Sequence, residues 1–268
     1  MEKMELDLPA EIYRSLEGIS NSMLSYTSRG YNHFVEAMEG EKIETREMLM
    51  GSAIHDSILL PYTFKEKYIS IPKFDKRTKK SKEILKSLKL EKRIPINEDD
   101  YQKILNITQI FHDHPTIKNL FSEGYPETSF FWRYDNSQCK GRTDWFREDG
   151  IIIDIKTCKD CSLSEFQESL IFWKYDRQAA YYLDGVSQVL KKQFNTFIFI
   201  VVEREPPHEI AIYSLDESAI NIGRDIYKRD ILKYEMFMHL YSQNKKKVYN
   251  NFIESITLPE WAQRLENR

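Results

Sequence analysis

The chain has 268 residues, 41% apolar and 30% charged, ordinary values for a soluble globular protein with a sizeable core. A formal net charge of −3 excludes a global basic footprint for nucleic acid. The longest clean apolar run, Phe197 to Val202, is far too short to cross a bilayer. The N-terminal Met-Glu-Lys-Met-Glu-Leu-Asp lacks a signal peptide's apolar stretch, and three cysteines form no disulfide scaffold. A reducing cytoplasm is the expected location, with no membrane association.

In chain order, Ser20-Asn-Ser22 supplies capping residues that open a helix. Glu44 to Leu60 carries Met48, Ile54, Ile58 and Leu59 at the spacing of a buried helix, which Pro61 ends. Tyr62 to Asn97 is basic and expected to be partly mobile, with a helical run from Ser81 to Leu90. Within it, Lys65 to Arg93 holds twelve Lys/Arg against four Asp/Glu, including Lys76, Arg77, Lys79 and Lys80. Alone, such a segment reads either as a solvated surface or as a flap over a phosphate backbone. Asp99 to Phe111 is an amphipathic helix closed by His112-Asp-His-Pro115.

Strands are expected at Thr128 to Tyr134, Lys140 to Arg147 and Ile151 to Lys156, then a helix from Ser164 to about Leu183. Strands at Thr196 to Val202 and Glu209 to Tyr213 surround Pro206-Pro207, and a last helix runs from about Glu217 to near Ser242. No repeat or linker separates two cores. The expected architecture is one α/β domain over 1–268, with a mainly helical part over 1–115. A mixed central sheet flanked by helices follows over 116–268.

The chemistry gathers around one hairpin. Glu148-Asp149-Gly150 has turn composition, and if it forms the loop, Arg147 pairs with Ile151 and Asp144 falls opposite Asp154. Period-two alternation puts Lys156 on the face of Asp154, and Arg142 on that of Asp144. Two opposed acids repel, so a fold keeps them only with something positive between them. A divalent metal meets that need, and Lys156 beside it can orient or activate a water. This is the arrangement of a metal-dependent phosphodiesterase. An apolar strand and a nearby cation would both lower the Lys156 pKa, which suits a proton-handling role.

Gly51 and His55 lie four apart on one helical face, as do Gln178 and Tyr182. Taken alone, such a His is usually structural and such a Tyr usually packs. Glu127 reads either as a secondary metal contact or as a surface strand-start residue. Arg142 reads as a phosphate grip or as a salt bridge to a site acid. Cys158-Lys-Asp-Cys161 is a C-x-x-C, but an iron–sulfur cluster needs four thiolates and the chain has three. A zinc site with a histidine as fourth ligand stays open.

Asp144 followed by Asp154-Ile155-Lys156 as a D-x-K resembles the PD-(D/E)xK nuclease superfamily. Gly51-Ser-Ala-Ile-His55 as G-x-x-x-H and Gln178-Ala-Ala-Tyr-Tyr182 as Q-x-x-x-Y, in that order around the acids, resemble its RecB-type branch. The text at Ile19 to Ser22, Gly51 to Pro61, Cys139 to Trp145 and Tyr175 to Gly185 looks closest to RecE, the phage-type exonuclease VIII.

The resemblance implies a restriction-endonuclease-like core and Mg²⁺ or Mn²⁺ held by His55, Asp144, Asp154 and the main-chain carbonyl of Ile155. Lys156 would be catalytic, with Gln178 and Tyr182 supporting it at phosphate oxygens or a metal-bound water. An imidazole ligand suits Mn²⁺ more than Mg²⁺. The implied activity is a 5′→3′ exonuclease on duplex DNA ends in phage-type recombination. A single-strand annealing protein is the implied partner and a ring-shaped homo-oligomer the implied assembly. Beside such a site the basic segment reads as a DNA flap. A RecB-type single-strand exonuclease or endonuclease is the nearest alternative. A DNA-binding or assembly protein without catalysis is another, and the presence of all six motif side chains argues against it.

Overall fold

Two runs of β-branched and aromatic residues, Ile151 to Cys158 and Thr196 to Glu203, form the centre of the sheet, where both faces are covered. The structure is a computed structural model that describes residues 2–40, 45–72, 78–244, 247, 253 and 255–257. Its elements are β1 (Lys3–Glu5), α1 (Ala10–Ser15), α2 (Asn21–Ser25), α3 (Tyr31–Glu39), α4 (Arg46–Leu59), α5 (Pro61–Lys67), β2 (Tyr68–Ile71), α6 (Lys79–Leu90) and β3 (Ile94–Asn97). There follow α7 (Glu98–Asp113), α8 (Pro115–Leu120), β4 (Tyr125–Tyr134), β5 (Ser137–Phe146), β6 (Ile151–Cys158) and α9 (Leu163–Trp173). The last are α10 (Tyr175–Leu190), β7 (Thr196–Glu203), β8 (Ile210–Ser214) and α11 (Glu217–Ser242).

A six-stranded mixed sheet runs β1-β4-β5-β6-β7-β8, with β6 and β7 parallel and the other neighbours antiparallel. Alternation along β6 and β7 sorts side chains to two helical layers. Ile152, Phe197, Phe199 and Val201 pack with α10 and α11 through Ala179, Ala180, Leu183 and Tyr227. Ile153, Ile155, Ile200 and Val202 pack with α4 and α7 through Ile54, Ile58, Ile104 and Phe111. The result is an α/β fold with helices on both faces of a mixed sheet, as expected. Among the described residues no helix is long and apolar enough to cross a membrane.

The β5–β6 hairpin has the expected register. Gly150 takes φ 111°, the Arg147 N–H donates to the Ile151 carbonyl at 3.0 Å, and Phe146 and Trp145 pair with Ile152 and Ile153. The ladder stops there. One step further Asp144 faces Asp154, and the Ile155 N–H donates to Asp144 Oδ2 at 2.6 Å.

Three elements differ from the sequence expectation. The helix expected from Ser164 to about Leu183 is two helices, broken at Lys174, which sits in the left-handed region at φ 58°. No glycine or proline marks that break, and packing imposes it. Just past it, buried Arg177 donates to Asp230 and Asn21, which locks the start of α10 against α11 and α2. Where the stretch from Tyr62 to Asn97 is described, it adds α5 and the parallel pair β2–β3 to the expected α6, with Phe64, Tyr68, Leu88 and Ile96 buried. Within the mainly helical N-terminal part, β1, which was not expected, joins the edge of the sheet against β4.

Candidate active site

Three carboxylates lie side by side across three neighbouring strands. Pro126 pairs with Trp145 and Thr128 with Thr143, so Glu127 on β4 stands opposite Asp144 on β5. The hairpin register then sets Asp144 opposite Asp154 on β6. Glu127 adopts φ 48°, a conformation that costs a non-glycine residue about 1–3 kcal/mol.

Helix α4 lays His55 onto this row. Its Nε2 is 2.7 Å from Asp144 Oδ2 and its Nδ1 is 3.5 Å from Glu127 Oε1. One ligand atom from each of His55, Glu127 and Asp144 lies within 4.8 Å of the others, the one such group among the described residues. Gly51, one turn before His55, allows the close approach of α4 to β6: a Cβ there would meet Thr157 Oγ1 at 3.3 Å.

On the other side of the row, Asp154 is 2% exposed and its Oδ2 is 2.5 Å from Lys156 Nζ. Gln178 on α10 ties the pair together, accepting from Lys156 Nζ at 2.9 Å and donating to Asp154 Oδ1 at 2.5 Å. One turn earlier, the Tyr175 ring carries the Lys156 ammonium 4.4 Å from its centroid. One turn later, Tyr182 lies against β5, where a Cβ on Gly141 would be 3.1 Å from its ring.

Burial and then the neighbouring Asp144 charge push the Asp154 carboxyl up to about 6. Burial would also raise Asp144, but His55 outweighs it and holds that carboxyl below its ordinary range. The reverse holds for His55: burial pulls its pKa down, and Asp144 and Glu127 carry it well above the usual histidine value. In the metal-free site the Lys156 shift runs opposite to the lowering expected beside a bound cation. Burial does act downward, yet the Asp154 charge dominates and the ammonium is held above the ordinary lysine range. Without a metal, His55 and Lys156 thus supply the positive charge that the opposed acids need.

The arrangement fits a divalent cation. Asp154 Oδ2 is buried and makes no well-formed hydrogen bond despite the nearby ammonium. Hard carboxylate oxygens with one imidazole suit Mg²⁺ or, better, Mn²⁺. Glu127 stands inside the candidate group, beyond the secondary role weighed from sequence. Arg142 takes the salt-bridge alternative: it pairs with Glu127 and donates to the Leu8 carbonyl at 2.8 Å. Lys140, 4% exposed, donates to the Tyr13 carbonyl at 3.0 Å near the C-terminal end of α1. Together they anchor the N-terminal arm beside the site.

Sequence spacing did not single out Tyr13, whose ring lies against both Lys140 and Arg142. Tyr175 was within reach, because it precedes Gln178 by three residues on the same helical face. Of the basic segment, Lys79 begins α6, while Lys76, Arg77 and the Lys80 side chain lie outside the described residues. Cys139, Cys158 and Cys161 are free thiols, and none joins a metal-holding group among the described residues. Two clefts meet at Gly51. One, about 750 Å³, is lined by His55, Glu127 and Arg142, and the other, about 840 Å³, by Lys156, Tyr175 and Trp173.

The fold has a counterpart among solved structures. The "Putative exonuclease" of Eubacterium rectale superposes with a TM-score of 0.63 over 97% of this chain and 98% of that one, at 13% identity. At that identity the likeness is one of fold. A phage-related exonuclease from Haemophilus somnus 129PT is 15% identical over 62% of this chain and 84% of that one, with a TM-score of 0.36. No curated protein matches the chain. Residues 20–250 match the family described as a PDDEXK-like domain of unknown function (DUF3799), and with most of its length inside that match the chain belongs to this PDDEXK-like family.

Proposed function

We propose that this chain is a divalent-metal-dependent deoxyribonuclease that hydrolyses phosphodiester bonds from duplex DNA ends. The observation that carries this reading is the row Glu127-Asp144-Asp154 across β4, β5 and β6, covered by His55 and flanked by Lys156. His55, Asp144, Asp154 and the Ile155 carbonyl would hold the ion, with Glu127 as a further ligand. When bound, such an ion polarises the scissile phosphate and makes water a usable nucleophile near neutral pH.

The chain's own groups do the remaining work. Lys156 donates hydrogen bonds to the phosphate or to the attacking water. Gln178 fixes the Lys156 ammonium and the Asp154 carboxylate relative to each other. Tyr182, whose hydroxyl is kept protonated by burial, serves as a donor at the substrate side of α10. Arg142 positions Glu127. Residues 1–268 act as one nuclease unit, with Lys76, Arg77, Lys79 and Lys80 as a flap over the DNA backbone.

The finer reading follows the RecE-like motifs: a 5′→3′ exonuclease of phage-type recombination in the host cytoplasm, a homo-oligomer that works with a single-strand annealing protein. End-labelled linear duplex and covalently closed circular duplex, each with Mn²⁺ or Mg²⁺, test it. The linear molecule should shorten from its ends while the circle survives. Linearisation of the circle would turn the reading to an endonuclease, and hydrolysis of neither duplex nor single strands would overturn it. His55→Ala should weaken Mn²⁺ binding at least about tenfold by calorimetry, since even outer-shell partners of metal sites cost that much. Unchanged affinity would return His55 to a structural role.

A further inference from the structure

Helix α9 ends in Ile171-Phe172-Trp173, whose side chains are 64%, 74% and 59% exposed. The Phe172 and Trp173 rings meet edge to face with centroids 4.7 Å apart. Large apolar groups clustered on a surface mark binding sites more often than chance. This cluster is not remote. Trp173 lines the cleft of about 840 Å³ that also holds Lys156, Tyr175 and, on α4, Met48 at 58% exposure. The left-handed turn at Lys174 fixes the connection: Trp173 is two residues from Tyr175, whose ring touches the Lys156 ammonium. Two residues of chain span at most about 7 Å, which is about two base steps of a stacked strand at ~3.4 Å each.

We propose that Trp173, braced edge-on by Phe172, is a stacking platform for an unpaired base of the DNA strand whose phosphate reaches Lys156. The inference rests on the nuclease reading of the site and names the part of the substrate that the cleft recognises. Every base offers a π-face, so an exposed indole binds a strand without regard to sequence. On the cleft wall Lys156, Lys159 and Arg204 stand among the carboxylates Glu47, Asp160 and Glu165, so charge is balanced there and the affinity of this subsite rests on stacking. Trp173 shares its cleft with Lys156 and Tyr175, and this continuity with the candidate site argues for a strand as the occupant. For a duplex end, stacking of the first freed base on the platform opposes re-pairing and leaves the strand in the cleft.

The test is fluorescence anisotropy with an end-labelled single-stranded oligodeoxynucleotide, in Ca²⁺ to neutralise the site acids, alongside the solution mass of each variant. Phe172→Ala and Trp173→Ala should bind about five- to a hundredfold more weakly at unchanged mass, the range seen when one stacking aromatic is removed. Trp173→Phe should recover most of the loss. Wild-type affinity in both alanine variants would overturn the platform. So would a loss of affinity that tracks a fall in mass, because the rings would then join copies of the chain. Cleavage of linear duplex by the wild type is read separately. A protein that binds through Trp173 yet hydrolyses no DNA would fail as a nuclease only. One that hydrolyses DNA while its alanine variants bind normally would fail the platform only.

Discussion

Asp154→Asn should reduce cleavage of linear duplex DNA by about a thousandfold or more with Mn²⁺ in excess, a loss of about 4 kcal/mol of transition-state stabilisation. Asp154 is the acid on which the site converges: it pairs with Lys156, accepts from Gln178 and keeps one buried oxygen without a well-formed hydrogen bond. Asparagine preserves the shape but removes the charge, and its NH₂ would face either the Lys156 ammonium or the Gln178 amide, donor against donor. Asp144→Asn should be as severe, because Asp144 Oδ2 joins His55 to the Ile155 N–H. Thermal melting of both variants separates lost chemistry from lost fold. Activity within about tenfold of wild type in a folded variant would remove that acid from the site.

Lys156→Met should cut turnover by about 10²–10⁴-fold, the usual weight of a positioned proton donor or acceptor. Metal affinity should hold or tighten, since a positive charge beside the acids has been removed. The two readouts therefore move apart, which a merely structural lysine would not produce. In the metal-free variant Asp154 loses its counter-charge. Removing one partner of a buried pair costs about 3–5 kcal/mol when the other must stay charged. Burial and Asp144 already raise the Asp154 carboxyl and the loss of Lys156 raises it further, so it relieves part of the cost by taking up a proton and the destabilisation should shrink as the pH falls. Calorimetry and single-turnover digestion on one preparation check both halves. Turnover near wild type would show that Lys156 only balances charge.

Much of the site was legible because it depends on short-range periodicity. The turn at Gly150 fixes the register, and the register alone sets Asp144 against Asp154 with Lys156 on the same face. Helical spacing likewise carries His55 from Gly51 and Tyr182 from Gln178. What was not legible depends on contacts distant in sequence or on an unusual backbone. Glu127 stayed open between a metal contact and a surface position, because the left-handed conformation it adopts in the acid row is announced by no residue type. The break at Lys174 arises where Arg177 bonds Asp230 and Asn21, over 50 residues away in either direction. β1 has only three residues, too few for a period to emerge. The upward shift of Lys156 in the metal-free site depends on the Asp154 carboxylate 2.5 Å away, a pairing that period-two alternation alone does not weigh.

Anomalous scattering from a crystal soaked in Mn²⁺ tests the central claim most directly. Density is expected for an ion bound by Asp144 together with His55, Asp154 or Glu127, lost in Asp154→Asn or Asp144→Asn crystals. Ordered carboxylates with no ion among them at saturating Mn²⁺, or an ion bound elsewhere while the row stays paired with Lys156 and His55, would contradict it.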